Sequence, residues 1–331
     1  MKFCKGLKNP MATDKQFKEL DLVHHQLLCK VAWLYYHDDH TQAEIADKLG
    51  ISRVTINRLI KEARETGVVE IKVHTDFSDV FELGQRLSHK FNLRDAIVTP
   101  PVDKDEELNS IIAQAAAEVL MQRLKEGLTI GVGIGRTISC IPDFFHPAAP
   151  VLCRFIGLTG GLDFRLTGVP HSFNTLAQLA RATDGEAVYI PAPSYVAYAS
   201  VKNALLSEQT VVQSLETAAG CDIAIFSIGT ADYTALLYQF NQISDKDLED
   251  MRRNQAVGDV LGRFFNYQGQ ELELDLNQRM IGLGLEELKK VPMKILVAGG
   301  KAKHEALQVA VSHQFCDILV TDAVSAAWLL E

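Results

Sequence analysis

Apolar residues recur at helical spacing over residues 24–67 and 77–91 of this chain, and short apolar runs alternate with helical patterns through the remainder. Residues 24–37 place Leu27, Leu28, Val31, Leu34 and Tyr35 on one helical face. The stretch from Thr41 to Gly67 then carries two further short amphipathic patterns. Thr41 and Glu44 form a T-x-x-E capping box, so a helix starts at Thr41, with Ile45, Ala46 and Leu49 on its apolar face and Gly50 as its left-handed stop. Ser52 caps a second helix whose apolar face reads Ile56, Leu59, Ile60 and Ala63, and Gly67 follows its last turn.

Two short helices joined by a three- to four-residue turn predict a helix-turn-helix, whose second helix enters the DNA major groove by its N-terminal end. The spacing strengthens that reading. Ala46 is small where the helices cross, Gly50 turns the chain four residues later, and Ile56 is apolar six after that. At about 100° per residue, the face opposite Ile56 and Ile60 carries Val54, Asn57, Arg58 and Lys61, with Arg53 and Thr55 flanking the first turn. Arginine grips guanine, asparagine pairs with adenine, and Val or Thr methyls touch thymine; Lys61 and Arg64 suit phosphates. Gln42 and Ser52, at the starts of the two helices, complete the predicted DNA-binding set. Trp33, Tyr35 and Tyr36 are assigned to packing against this pair, with a dimer face or a stacking platform for nucleic acid as alternatives. Val68 to His74 alternates apolar and charged residues and reads as a wing.

Phe77 to Phe91 is an amphipathic helix, read either as a dimer contact or as a helix packed on its own domain. From Asp95 onward, strands are predicted at Asp95–Thr99, Leu128–Ile134, Val151–Leu158, Ala187–Ile190, Asp222–Ile228, Lys294–Ala298 and Asp317–Thr321. Helical patterns separate most of them, at Asn109–Leu124, Ser172–Ala182, Val201–Leu206, His304–His313 and Ala323–Leu330. Strand and helix in alternation predict a mainly parallel sheet covered on both faces. The fold class expected is therefore α/β: a winged helix-turn-helix over residues 20–75, a linker helix over 76–94, and a mainly parallel α/β domain over 95–331.

Charge sharpens this division. The 331-residue chain carries a net charge of −9, yet residues 1–75 hold about 12 Lys and Arg against about 10 Asp and Glu, and the rest about 21 against about 32. An acidic bulk repels DNA phosphate and leaves binding to the N-terminal unit. With 47% hydrophobic and 23% charged residues the composition is that of a globular protein. Six cysteines are scattered without a C-x-x-C pair, so neither a zinc site nor a redox pair is expected. No run approaches the ~18 apolar residues of a membrane span, and a cytoplasmic location is expected. Met11 is an alternative start, because residues 1–10 show no periodicity.

Ligands of such sheets bind beyond the carboxyl ends of the strands. Leu128–Ile134 runs into Gly133-Ile134-Gly135-Arg136-Thr137, a glycine-rich turn whose free N–H groups suit an anion, although its spacing fits neither G-x-G-x-x-G nor G-K-[ST] and a ligand-free turn is an equal reading. Similar turns follow at Leu158-Thr159-Gly160-Gly161, at Ile228-Gly229-Thr230, and at Ala298-Gly299-Gly300 with Lys301 and Lys303 behind it.

With these segments in view, the chain resembles the SorC family of bacterial sugar-operon transcriptional regulators. The segment KVAWLYYHDDHTQAEIADKLGISRVTINRLIKEARETGVVEIKV carries the resemblance most clearly, joined by GVGIGRT, FIGLTGG, YIPAP, IFSIGT, AVGDVLGRFFNYQG, VAGGKAKHEAL and LVTD, so that it spans the chain from about residue 24. The resemblance implies an effector domain related in fold to glucosamine-6-phosphate deaminase, ribose-5-phosphate isomerase and CoA-transferases, which binds a phosphorylated sugar without turning it over. It implies that Gly133, Gly135, Arg136, Thr137, Gly160 and Gly161 hold the ligand and its phosphate, that Asp259 accepts from sugar hydroxyls, and that Lys303 donates to phosphate or hydroxyl. The match is looser at Arg136 and at residues 171–174. No cofactor or metal is implied. The expected partners are double-stranded operator DNA, the phosphorylated sugar, and further copies of the chain in a dimer or tetramer.

Two other readings stay open at this point: a sugar-phosphate isomerase or deaminase with an added DNA-binding head, and a C-terminal body that only dimerises. An enzyme requires a positioned acid and base. Asp259 is the one carboxylate assigned to the pocket, since Asp222 and Asp317 precede their strands.

Overall fold

The computed structural model describes residues 22–69, 78–102, 104–161 and 172–331. The chain divides into two compact units, Met1–Thr75 and Asp76–Glu331.

The first unit contains α1 (Leu22–Tyr36), α2 (Gln42–Leu49) and α3 (Arg53–Glu65). Both predicted caps form. Thr41 Oγ1 accepts from the Glu44 N–H while Glu44 Oε2 accepts from the Thr41 N–H at 2.8 Å, and Ser52 Oγ accepts from the Thr55 N–H at 3.1 Å. Gly50 ends α2 at φ 67°, where its missing Cβ removes the left-handed penalty. Leu28, Val31 and Ala32 of α1, Ile45 of α2, and Ile56, Leu59, Ile60 and Ala63 of α3 form the core. His24 and Glu62, 2.7 Å apart, tie α1 to α3. Tyr35 and Tyr36 pack against this core, but the assignment of Trp33 to it is corrected: its side chain is 58% exposed and stacks on His37 with ring centroids 4.0 Å apart. Residue 33 sits about 200° around the helix from Val31, on the far face. The predicted wing lies mostly outside the described residues.

The second unit opens with α4 (Ser78–Phe91), which packs on β1 (Asp95–Thr99) of its own unit; Leu87 is fully buried, and a Cβ on Gly84 would stand 2.4 Å from the Ala96 carbonyl oxygen. β1 belongs to a seven-stranded, wholly parallel sheet with β2 (Thr129–Val132), β3 (Arg154–Gly157), β4 (Glu186–Val188), β5 (Ile223–Phe226), β9 (Met293–Val297) and β10 (Ile318–Asp322), in the order β1-β10-β9-β5-β2-β3-β4. These are the seven apolar runs expected: β1 keeps its bounds, β2, β3 and β5 are trimmed, β4 and β9 start one residue earlier and β10 one later. One face is covered by α4, α9 (Gln209–Ala219), α14 (His304–Ser312) and α15 (Ala323–Leu330), which bury Leu87, Ala218, Leu307 and Leu329. The other is covered by α5 (Asp105–Met121), α6 (Arg136–Cys140) and α7 (Ser172–Ala182), through Ile112, Ile138 and Leu179. Short helices α8 (Ala199–Leu205), α10 (Leu236–Gln239), α11 (Asp245–Arg253), α12 (Asp275–Arg279) and α13 (Leu285–Leu288) complete the chain.

One predicted strand is divided. The run Asp222–Ile228 does not form a single strand: β5 stops at Phe226, and Ile228 opens β6 (Ile228–Thr230), which pairs antiparallel with β7 (Gly258–Val260), itself paired with β8 (Arg263–Phe265). The β7–β8 hairpin turns through Leu261 and Gly262, with φ of 54° and 77°. Two central residues of positive φ make the tight turn whose twist suits a two-residue hairpin, although Leu-Gly lacks the Asn-Gly or Asp-Gly signal that announces it. Among the described residues no helix is long and apolar enough to cross a membrane.

Candidate functional site

The small sheet stands beside the carboxyl ends of the central parallel strands, and between them lies a cavity of about 370 Å³. Ile134, Gly135 and Arg136 reach it from the end of β2, Thr159 from β3, Ser227 from β5, and Gly299 and Lys303 from β9. The β7–β8 hairpin contributes Asp259, Leu261 and Gly262, and α5 contributes Leu108 and Asn109.

Asp259 is held tightly. A Cβ on Gly229 would stand 1.9 Å from Asp259 Oδ1, so the glycine opposite it in the β6–β7 pair makes room for the carboxylate. Asp259 Oδ2 accepts from the Gly262 N–H at 2.9 Å. Burial pushes the carboxyl up to about 6, against the opposing pull of that N–H and of the Lys303 charge. Lys303 is half-buried, and removal from water lowers its ammonium to about 8; Asp259 raises it, and Arg136 lowers it further. The Tyr195 hydroxyl donates to the Gly262 carbonyl, and its burial together with the nearby Asp259 charge keeps the phenol protonated. Arg136 donates to Gln239 across the cavity mouth. The result is a chamber of mixed apolar and polar lining that holds two cations and one buried acid, able to take an anion and hydroxyls together.

Of the eight effector residues expected from the sequence, Gly135, Arg136, Asp259 and Lys303 line the cavity. The other four lie behind that lining. Gly133 packs against Phe226 and Leu261, where a Cβ would come within 3.0 Å of either side chain. Gly160 and Gly161 are buried one step behind Thr159; the Gly160 carbonyl accepts from Ser194 Oγ at 2.5 Å, and Ser194 is the group that lines the cavity. Thr137 is 2% exposed, and its hydroxyl donates to Asn109 Oδ1 at 2.7 Å. Each turn is therefore one layer thicker than a reading of its glycines suggests. The lining residues Asn109, Ser194, Tyr195, Ser227 and Gln239 were not anticipated, whereas Thr230 ends the expected Ile228-Gly229-Thr230 turn. Ser227 and Thr230 lie inside IFSIGT and Ser194 directly follows YIPAP, so those segments marked the region, whereas Asn109 and Gln239 carry no local signal.

In the first unit, Arg53, Val54, Asn57, Arg58 and Lys61 are exposed along α3, with Val54 at 81%. Lys61 lies 3.6 Å from Glu65. Ser52 and Thr55 are engaged with each other, their hydroxyls 2.8 Å apart, and Gln42 is half-buried.

Residues 75–331 match the family model described as "Putative sugar-binding domain", and residues 31–76 match the MarR family. The chain is 30% identical to the deoxyribonucleoside regulator of Bacillus subtilis (strain 168), over 94% of this chain and 99% of that protein. It is 31% identical to the transcriptional regulator LsrR of Enterobacter sp. (strain 638), over 97% of each. The crystal structure of the full-length sorbitol operon regulator SorC from Klebsiella pneumoniae aligns with a TM-score of 0.71 at 26% identity, covering 92% of this chain and 99% of that one. Relatives similar over nearly their whole length are regulators, which sets aside the reading of the chain as an isomerase or deaminase. A DNA-binding head joined to a sugar-binding α/β domain, in a chain matched end to end by such regulators, belongs to the SorC family of bacterial sugar-operon transcriptional regulators.

Proposed function

We propose that this regulator binds the operator of a carbohydrate uptake and catabolism operon as a homo-oligomer in the cytoplasm, and that a phosphorylated sugar in the cavity changes its operator affinity. The observation that carries the reading is the meeting of Arg136, Lys303 and Asp259 in one chamber, with Lys303 in no ion-pair contact among the described residues. Arg136 and Lys303 take the phosphate, Asp259 accepts from sugar hydroxyls, and Ser194 and Ser227 offer further hydroxyl partners. On the DNA side, Arg53, Val54, Asn57 and Arg58 read bases, Lys61 holds phosphate, and Ser52 and Thr55 fix the start of the reading helix.

A ligand shifts the DNA equilibrium only through its differential affinity for the two states, so a coupling of about 1–3 kcal/mol is expected. Purified protein screened by thermal shift against a panel of sugar phosphates and their unphosphorylated sugars, followed by titration of the operator complex with both forms, tests the proposal. Equal responses to the two forms would remove the phosphate from the reading.

A further inference from the structure

Asn109 belongs to none of the glycine turns. It projects from the second turn of α5 into the cavity, beside the Gly135-Arg136 turn, and its side-chain oxygen is already engaged by the buried Thr137 hydroxyl at 2.7 Å. An amide offers one acceptor oxygen and one donor nitrogen. With Oδ1 turned to Thr137, Nδ2 is the atom left for the cavity, and it has no hydrogen-bond partner among the described residues.

We infer that Asn109 is a specificity-determining residue of the effector site, donating from Nδ2 to an anionic oxygen of the ligand beside Arg136, and that Thr137 is the positioning residue that keeps the amide donor-first. Thr137 serves this purpose because its hydroxyl is shut off from the cavity and finds its acceptor in Asn109. With the amide flipped, its oxygen would face the anion and the Thr137 hydroxyl would lose its acceptor. Rotating an acceptor toward an anion is repulsive, so fixing the rotor discriminates for anionic ligands and against ligands that offer only a donor at that end. The inference rests on the anion-binding reading proposed above.

The test uses the full chain and inorganic phosphate as probe, with chloride at matched ionic strength as control, and reads the midpoint of thermal unfolding against probe concentration. Asn109→Ala and Thr137→Val should each weaken phosphate about tenfold, the loss typical of one charge-assisted hydrogen bond. Thr137→Ser, which keeps the hydroxyl, should bind as wild type. Asn109→Asp should lose more than Asn109→Ala, because it sets a carboxylate against the anion. The double variant Asn109→Ala with Thr137→Val should bind no more weakly than Asn109→Ala alone, since Thr137 acts through the amide. Multiplying losses in the double variant, or wild-type affinity in Asn109→Ala, overturns the inference and leaves the anion site standing. Absence of stabilisation in wild type, or stabilisation that survives Lys303→Met, overturns the anion reading and the inference with it. If Thr137→Val does not fold, the comparison of Asn109→Ala, Asn109→Asp and Thr137→Ser still decides.

Discussion

Asp322 Oδ2 accepts the backbone N–H of Gly300 at 2.9 Å, joining the end of β10 to the glycine turn that follows β9. The same carboxylate caps α15: Oδ1 accepts from the Val324 and Ser325 N–H groups, both at 2.9 Å. Asp322 is 2% exposed, and a Cβ on Gly299 would come within 2.2 Å of its Oδ2, so that turn is seated against the acid. Lys303 follows three residues later. Asp322→Ala removes a helix cap, takes one of the two acceptors of the Gly300 N–H (the other is Ser325 Oγ at 3.0 Å) and leaves the buried Ser325 hydroxyl without its acceptor, a combined loss of about 2–4 kcal/mol. Urea denaturation should register it, and effector affinity should fall in parallel because the Lys303 turn loses its anchor. Stability within about 0.5 kcal/mol of wild type, the range of an ordinary surface substitution, would contradict this role.

Operator reading is expected to divide along α3. Asn57→Ala or Arg53→Ala should cost about 1–3 kcal/mol on the specific site and relax the sequence preference, whereas Lys61→Ala should weaken all sequences alike. Binding measured on the operator and on scrambled DNA separates the two behaviours. Uniform losses for all three would show that α3 grips the backbone without reading bases.

Two chains should occupy each operator. One small unit of near-neutral charge makes few phosphate contacts, and an acidic body opposes even these, so specific affinity comes from paired units set at half-site spacing. Sedimentation or mass photometry of the full-length complex should count at least two chains per duplex. Equal affinity for a duplex carrying one half-site would refute the pairing.

Proton linkage gives the cavity a pH signature. Lys303 is lowered from 10.5 to about 8, so the charged form that an anion requires is lost as pH rises through about 8. Phosphate esters are fully dianionic above pH ~7, so a fall in effector affinity across that window belongs to the lysine. Asp259 is raised from 3.8 to about 6, so its contribution to stability is present below 3.8 and lost as pH climbs to about 6; that of Lys303 is present above 10.5 and lost as pH falls to about 8. Asp259→Asn should therefore flatten the decline in unfolding temperature between pH 3.8 and 6. An unaltered profile would place the titrating group elsewhere.

Ala46 tests the crossing of α2 and α3. It packs against the core of the first unit, and Ala46→Leu should overpack that contact at a cost of about 1–3 kcal/mol. A variant that melts with the wild type and binds operator normally would count against a tight crossing.

What the sequence determined by itself was local. The capping box at Thr41, the left-handed Gly50 and the apolar face of α3 involve residues within four positions of one another, so the chain announces them wherever it sits. The seven parallel strands were legible for a related reason: a strand buried on both faces is a continuous apolar run. The glycine turns located the sheet edge where the cavity lies. The depth of each residue in that edge was decided by tertiary structure. Thr137 and Gly160 fell one layer behind the surface because Asn109 and Ser194, 28 and 34 residues away, came to rest in front of them. Asp259 reached the cavity because β7 paired with β6 across Thr230 and Gly258, through a Leu261-Gly262 turn with no local signature. Pairings between such distant segments are chosen by which backbone groups must find partners and which side chains must leave water, and those demands are met only once the whole unit has assembled.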